Sequence, residues 1–193
     1  MKPERVIELF KEAGALLEGH FVYASGRHGR HFFQASRVLQ YPRITEELCQ
    51  AMAENFADAN VELVIGPATG GIVLAYETAR HIENCRAAFT EKEDGGARMA
   101  LKRGFKLAPG TRVLVVEDVI TTGGSVKKSI DHLRERGAEI VGVGVLIDRS
   151  GGEAAFDCRY EPLARFTLES WAPDNCALCD TGQEVVDPDD IVV

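Results

Sequence analysis

An apolar run that ends in two adjacent acids and then a turn of hydroxyls and glycines constrains this chain more than any other feature. It reads Val113-Leu114-Val115-Val116-Glu117-Asp118-Val119-Ile120-Thr121-Thr122-Gly123-Gly124-Ser125. The unbroken apolar start suits a strand covered on both faces, as in a parallel sheet between helical layers. Residues 125–136 then carry Val126, Ile130 and Leu133 at helical spacing and stop at Gly137, so the feature predicts strand, turn and helix. Glycines let the backbone approach a bound group, hydroxyls donate hydrogen bonds, and a helix N-terminus adds partial positive charge. The turn is therefore an anion cradle suited to a phosphate monoester. No Gly-x-x-x-x-Gly-Lys-[Ser/Thr] loop and no Gly-x-Gly-x-x-Gly fingerprint occurs, so it belongs to neither of those phosphate-binding classes. Two acids beside a phosphate repel it unless they face hydroxyls, a metal or a developing positive charge. A ribose diol and an oxocarbenium-like anomeric carbon meet that need.

The flanking segments alternate in kind. Residues 43–59 place Leu48, Met52 and Phe56 at helical spacing; residues 61–65 read as a strand, 71–81 as a helix and 86–90 as a strand. Residues 112–116 and 140–147 are strands apolar on both faces. The order βαβ, loop, βαβ predicts a parallel α/β sheet with right-handed crossovers. Ahead of it, residues 3–18 predict a helix with Val6, Leu9, Phe10, Ala13, Leu16 and Leu17 on one face and Gly19 as terminator. Residues 20–24 and 31–35 read as a β-hairpin around the polar turn 25–30, a small lobe outside the alternating pattern. The charged stretch 91–103 reads as a mobile loop with a ragged hairpin. The expected organisation is an N-terminal helix and hood hairpin (1–41), an α/β core (42–168) and a C-terminal tail (169–193) packing on the core or hood.

Ligands of open parallel sheets bind beyond the carboxyl ends of the strands. Four unusual sequences fall there: Gly66-Pro67-Ala68-Thr69-Gly70-Gly71, the charged stretch 91–103, the turn 117–125, and Asp148-Arg149-Ser150. Their shared position singles out one site.

Composition excludes several classes. A net charge of −8 disfavours nucleic-acid binding through a basic surface. No apolar run approaches the ~18–20 residues that cross a bilayer, and the first residues lack a signal-peptide core, so the expected location is cytoplasmic. The 5 cysteines predict reduced thiols. Cys176-x-x-Cys179 lacks a second close pair, and histidines 20, 28, 31, 81 and 132 show no ligand spacing. A structural zinc site needs four ligands, so the expectation is no direct protein metal ligand and no special role for this pair.

The Val113–Ser125 string resembles the phosphoribosyl-pyrophosphate (PRPP) motif of the type I phosphoribosyltransferases. Further matches resemble the orotate-using branch of that family: Gly19-His20-Phe21 before Ser25-Gly26-Arg27-His28, Gly66-Pro67-Ala68 before Gly70-Gly71-Ile72, Phe89-Thr90-Glu91-Lys92-Glu93, Leu146-Ile147-Asp148-Arg149-Ser150 and Cys176-Ala177-Leu178-Cys179. Together they span nearly the whole chain. The resemblance implies a type I phosphoribosyltransferase-like parallel sheet flanked by helices, with a small N-terminal hood. It also implies phosphoribosyl transfer from PRPP to orotate, giving orotidine 5′-monophosphate and pyrophosphate, with Mg²⁺ carried mainly by PRPP, in a homodimer.

By the same resemblance, Glu117, Asp118, Val119, Ile120, Thr121, Thr122, Gly123, Gly124 and Ser125 bind PRPP, with the acids on the ribose hydroxyls and residues 121–125 around the 5-phosphate. Ala68, Thr69, Gly70 and Gly71 form the pyrophosphate loop. Thr121 and Arg149 bind orotate, the guanidinium fork matching its carboxylate, and Phe32 and Phe33 close over the base. Lys92, Arg98, Lys102 and Arg103, together with Asp118, are the catalytic candidates. This loop departs from the longer family loops: it has no histidine, and Glu91-Lys92 stands where those carry Arg-Lys. Gly70 likewise replaces a family lysine. The alternatives are a purine phosphoribosyltransferase, which would not need Arg149, and a PRPP-sensing nucleic-acid-binding regulator, which the charge disfavours.

Overall fold

The computed structural model describes all residues except Ala24, Leu168, Asp189, Asp190, Val192 and Val193. Burial on both faces builds the central sheet. Its strands are β3 (Leu63–Pro67), β4 (Arg86–Glu93), β5 (Arg98–Leu101), β6 (Arg112–Ile120), β7 (Glu139–Asp148) and β8 (Tyr160–Arg165), in spatial order β5-β4-β3-β6-β7-β8. Successive side chains point to opposite faces. Val64, Leu114, Val116 and Leu146 enter one core, against α1 (Pro3–Glu12), α3 (Pro42–Glu54) and α4 (Gly70–Arg80). Leu63, Ile65, Val113, Val115, Val143 and Val145 enter the other, against Val126, Ile130 and Leu133 of α5 (Gly124–Glu135). Doubly apolar strands thus sit between helical layers, as the sequence predicts. All neighbouring pairs are parallel except β4 and β5, which pair antiparallel at one edge.

Several boundaries differ from the sequence reading. The first helix stops at Glu12, not residue 18, and Gly14 ends it instead of Gly19. Gly14 has φ 60°, the amide of Ala15 donates to the Phe10 carbonyl (2.8 Å), and that of Gly14 donates to the Lys11 carbonyl (2.9 Å). This is the Schellman closure, which a left-handed glycine makes cheap. Leu16 and Leu17 therefore start β1 (Leu16–Val22), which pairs antiparallel with β2 (His28–Phe33). The hairpin expected within 91–103 is present, β4 and β5 pairing antiparallel and joined by a turn at Asp94–Gly96, and it is regular where the sequence predicts a ragged one.

Between β2 and α3 lies the short α2 (Ser36–Leu39). Strand β8 was not foreseen, nor was β9 (Ser170–Trp171), which adds a third strand to the hood beside β2. A short α6 (Ala177–Asp180) follows, with Cys176 and Leu178 buried. The tail is therefore integrated with the hood. No helix among the described residues is long and apolar enough to cross a membrane.

Helix α3 lies close against β7 because Gly142 and Gly144 leave room for Phe56 and Met52. A Cβ on Gly142 would stand 2.4 Å from the Phe56 ring, and one on Gly144 would stand 2.8 Å from Met52. Gly142→Val should therefore overpack this layer and cost about 2–3 kcal/mol. A lower urea midpoint with an unchanged m-value checks it; a wild-type midpoint would show that α3 is free to shift.

Candidate active site

The strand order reverses between β3 and β6: from β3 the chain crosses through α4 to β4 on one side, and β6, β7 and β8 follow on the other. Such a switch point opens a crevice at the carboxyl ends of the strands. The turns after β3, β6 and β7 meet there, so three of the four predicted segments come together.

After β3 the backbone folds tightly on itself. A Cβ on Gly66 would lie 2.2 Å from the Gly71 carbonyl oxygen, and one on Gly71 would lie 2.8 Å from the Gly66 carbonyl carbon. Neither position admits a side chain. The Ala68–Thr69 peptide is cis, and the amide of Ala68 donates to the Thr90 carbonyl (2.7 Å). A Cβ on Gly70 would stand 2.6 Å from Oδ2 of Asp118. The glycine loop and the acidic pair therefore touch across the crevice.

Glu117 and Asp118 are largely buried where β6 ends. Asp118 Oδ1 accepts from the Val119 amide (2.6 Å), and Glu117 Oε1 accepts weakly from the Asp118 amide (3.3 Å). Among the described residues no lysine, arginine or histidine forms an ion pair with either acid. Burial, and secondarily the Asp118 charge, pushes Glu117 up to about 8; burial also raises Asp118. The pair is thus set to receive positive charge or hydroxyl donors.

The turn after the pair curls into a cavity of about 240 Å³ lined by Glu117, Val119–Val126 and Lys128. Gly123 adopts φ 73°, and a Cβ there would also meet the Phe156 ring at 2.9 Å. That conformation aims the first turn of α5 at the cavity and leaves its N-terminal amides free for an anion. Lys128, one turn into α5, was missed by sequence reasoning, although its i+4 spacing from Gly124 places it on that rim. A larger cleft of about 510 Å³ between the end of α3 and the loop after α4 contains Phe56 and His81. It is remote from the strand carboxyl ends and holds none of the predicted site residues.

Arg149 follows β7 and stacks its guanidinium 4.9 Å from the centre of the Tyr23 ring in the hood. It has no carboxylate partner among the described residues, because Asp148 turns away to Arg165 (3.6 Å) and to the Ser150 amide (2.8 Å). Burial lowers its pKa from the ordinary value, yet a guanidinium remains charged. Tyr23 is the hood aromatic the sequence reading missed. Its hydroxyl donates to the His31 carbonyl (2.6 Å), and Gly29 makes room for it, since a Cβ there would lie 2.1 Å from that oxygen.

The predicted aromatic pair divides, because neighbours on a strand face opposite ways. Phe33 is buried against Phe10 (5.7 Å) and Phe166 (5.1 Å) and belongs to the core. Phe32 packs on Phe21 (5.6 Å) within the hood.

The loop cations are mostly engaged. Arg103 makes two hydrogen bonds to Glu91 (2.7 and 2.8 Å), and Lys102 pairs with Glu93 (3.1 Å). Arg98 pairs with Glu135 (3.1 Å) at the far end of α5, roughly 16 Å along the helix from the phosphate turn. Lys92 is exposed beside the hairpin turn. The structure does not bring Arg98 to the cavity of its own chain.

Glu117 carries a pH signature. In the unfolded chain it ionises near 4.5, whereas in the folded chain it holds its proton to about 8. Stability therefore falls as pH rises through that window, and the penalty is full above it. Glu117→Gln should raise Tm by several degrees near pH ~9 and much less near pH ~5. Thermal melts at both pH values check this; an equal gain at both would show that Glu117 is ionised throughout.

Comparison with known proteins gives concordant matches. The phosphoribosyl transferase domain model matches residues 34–160. An orotate phosphoribosyltransferase of Desulforamulus reducens is 50% identical over 188 residues, covering 97% of each chain. Among solved structures, orotate phosphoribosyltransferase from Aeropyrum pernix superposes with TM-score 0.72 at 30% identity, covering 83% of this chain and 93% of that one. The Mycobacterium tuberculosis enzyme in complex with PRPP does so with TM-score 0.67 at 27% identity, covering 84% and 96%.

Proposed function

The chain belongs to the phosphoribosyltransferase family, among its orotate phosphoribosyltransferases, and from that premise we propose how its own residues carry out phosphoribosyl transfer from PRPP to orotate. The carrying observation is the contact between Gly70 and Asp118 at the switch point. It supports a reading in which the loop 66–71 takes the pyrophosphate and the facing acids take the ribose, on opposite walls of one crevice.

In this reading the amides and hydroxyls of Thr121, Thr122, Gly123, Gly124 and Ser125 hold the 5-phosphate, and Lys128 adds charge at the rim. Val119 and Ile120 form the apolar wall. Glu117 and Asp118 accept from the ribose hydroxyls, which satisfies carboxylates left without cationic partners. Ala68, Thr69, Gly70 and Gly71 present backbone to the diphosphate. An acidic pair lacking a protein counter-charge also fits Mg²⁺ carried in by PRPP. Substrate oxygens would hold the ion, and its charge would favour ionisation of Glu117 beside Asp118. When bound, Mg²⁺ neutralises the departing pyrophosphate.

Arg149 offers a planar fork to the orotate carboxylate while Tyr23 stacks on it and keeps it extended. Thr121 adds a hydroxyl nearby. The acidic ring nitrogen of orotate needs no strong base, so the residues' task is to orient two anions and stabilise charge as the C1–pyrophosphate bond loosens. Lys92 is the loop cation with the least engaged ammonium. Lys102 and Arg103 can reach a leaving group only by exchanging a carboxylate for it. Arg98 serves, if at all, the neighbouring subunit of a homodimer.

Production of orotidine 5′-monophosphate from PRPP and orotate is the direct assay. Turnover of adenine or guanine in place of orotate would overturn the reading. Arg149→Ala should raise the KM for orotate about 10- to 100-fold and leave the KM for PRPP nearly unchanged. Equal rises in both constants would remove Arg149 from the base site.

A further inference from the structure

We propose that Cys176, Cys179, His20 and His28 form a zinc site that clamps the C-terminal segment onto the hood. The inference is independent of the catalytic reading, because none of the four residues lines the PRPP crevice. It departs from the sequence expectation of no direct protein metal ligand. Histidine spacing along the chain gave no signal, since the ligands are brought together by tertiary packing.

The four ligand atoms all lie within 4.8 Å of one another. Cys176 Sγ is 3.6 Å and Cys179 Sγ 3.7 Å from His20 Nε2, and Cys179 Sγ is 3.4 Å from His28 Nδ1. Tetrahedral zinc with ordinary Zn–S and Zn–N bonds needs ligand separations of about 3.3–3.8 Å. Three edges already match. The fourth, His20 Nε2 to His28 Nδ1 at 2.8 Å, is that of a shared proton; an ion would displace the proton and open this edge by about 0.5 Å.

Local structure aims each ligand. The register of β1 against β2 slips between Glu18 and Phe21, and this bulge lets the consecutive residues His20 and Phe21 both turn inward, at 1% and 0% exposure. Gly19 has no room for a larger side chain there, since a Cβ would lie 3.0 Å from both Phe21 and Val186. His20 Nδ1 donates to the Gln183 carbonyl (2.7 Å), which fixes the ring and presents the Nε2 lone pair to the sulfurs. This is the outer-shell bond that metal-binding histidines usually make. Cys176 and Cys179 stand three apart around the short α6 and so face one way. All five cysteines are free thiols. Two thiolates with two imidazoles in a closed tetrahedron favour Zn²⁺ over the oxygen-seeking Mg²⁺, and each thiol releases its proton on binding.

Untagged full-length protein, expressed with zinc, desalted and analysed by inductively coupled plasma mass spectrometry, tests this. About one zinc per chain is expected, falling below about 0.2 in Cys179→Ser and in His28→Ala of unchanged circular dichroism. Cobalt exchange should give the visible absorption of a tetrahedral thiolate site. Chelation should lower Tm by roughly 10 °C. The proposal fails if wild-type protein supplied with zinc holds less than about 0.1 equivalent, or if both variants keep the full complement. It fails equally if mass spectrometry finds a Cys176–Cys179 disulfide in fresh protein. Orotidine monophosphate synthesis by the zinc-free protein supplied with Mg²⁺ would leave the catalytic reading standing, so the two ideas fail separately.

Discussion

Two carboxylates held out of water without a counter-charge are the condition around which this molecule is arranged. Glu117 and Asp118 follow the buried run of β6, just past the end of its ladder with β3, and the ladder with β7 holds their backbone in place. Burying carboxylates is costly, and the cost is met by Glu117 holding its proton and by both acids accepting backbone amides. A substrate bringing hydroxyls and positive charge relieves that tension only in the crevice. The glycines on the facing wall follow from this. Gly66 and Gly71 close the loop to backbone contact, and Gly70 leaves the Asp118 carboxylate its place.

The site divides its recognition between backbone and side chains. In the proposed reading, phosphate and pyrophosphate meet amides and hydroxyls on short turns pinned by buried strands, which would allow close approach and little motion. In the same reading the base meets Arg149, whose charge is kept available because Asp148 turns to Arg165. The hairpin cations work differently, being paired internally or with α5. Exposed pairs of this kind are worth little, so exchanging them for a pyrophosphate is inexpensive.

What was legible in the sequence was what depends on local pattern. Val113–Val116 announced a doubly covered strand, Thr121–Ser125 announced a glycine turn opening a helix, and the helix–strand alternation announced the sheet. What was not legible depends on competition or distance. Leu16 and Leu17 continue the helical period of the first helix, but Gly14 closes that helix first, and β1 claims them. The pair Phe32-Phe33 carries no mark of which ring faces the core; strand alternation decides it, and Tyr23 emerges as the hood aromatic only once Gly29 is seen to make room for it. The edge strands β5, β8 and β9 lack the apolar runs of the centre. The cysteine pair seemed incomplete because its partners lie some 150 positions away in sequence, separations of 151 and 156 residues in the observed contacts.

That last cluster changes how the base site should be understood. His28 precedes Gly29 in β2, Gly29 makes room for Tyr23, and Tyr23 stacks on Arg149. On the other side, Ser170 and Trp171 pair with Gly29 and His28, and the Val186 amide donates to the His20 carbonyl (2.9 Å). The hood is a three-stranded sheet whose third strand is only the two residues Ser170–Trp171, so it is little more than the two-stranded hairpin that is marginal alone. A tetrahedral ion joining β1, β2 and α6 would supply the rigidity its own core lacks. Arg149 faces a soft lobe without such a clamp and a fixed aromatic wall with it. The precision of base recognition would then depend on residues that never touch the base.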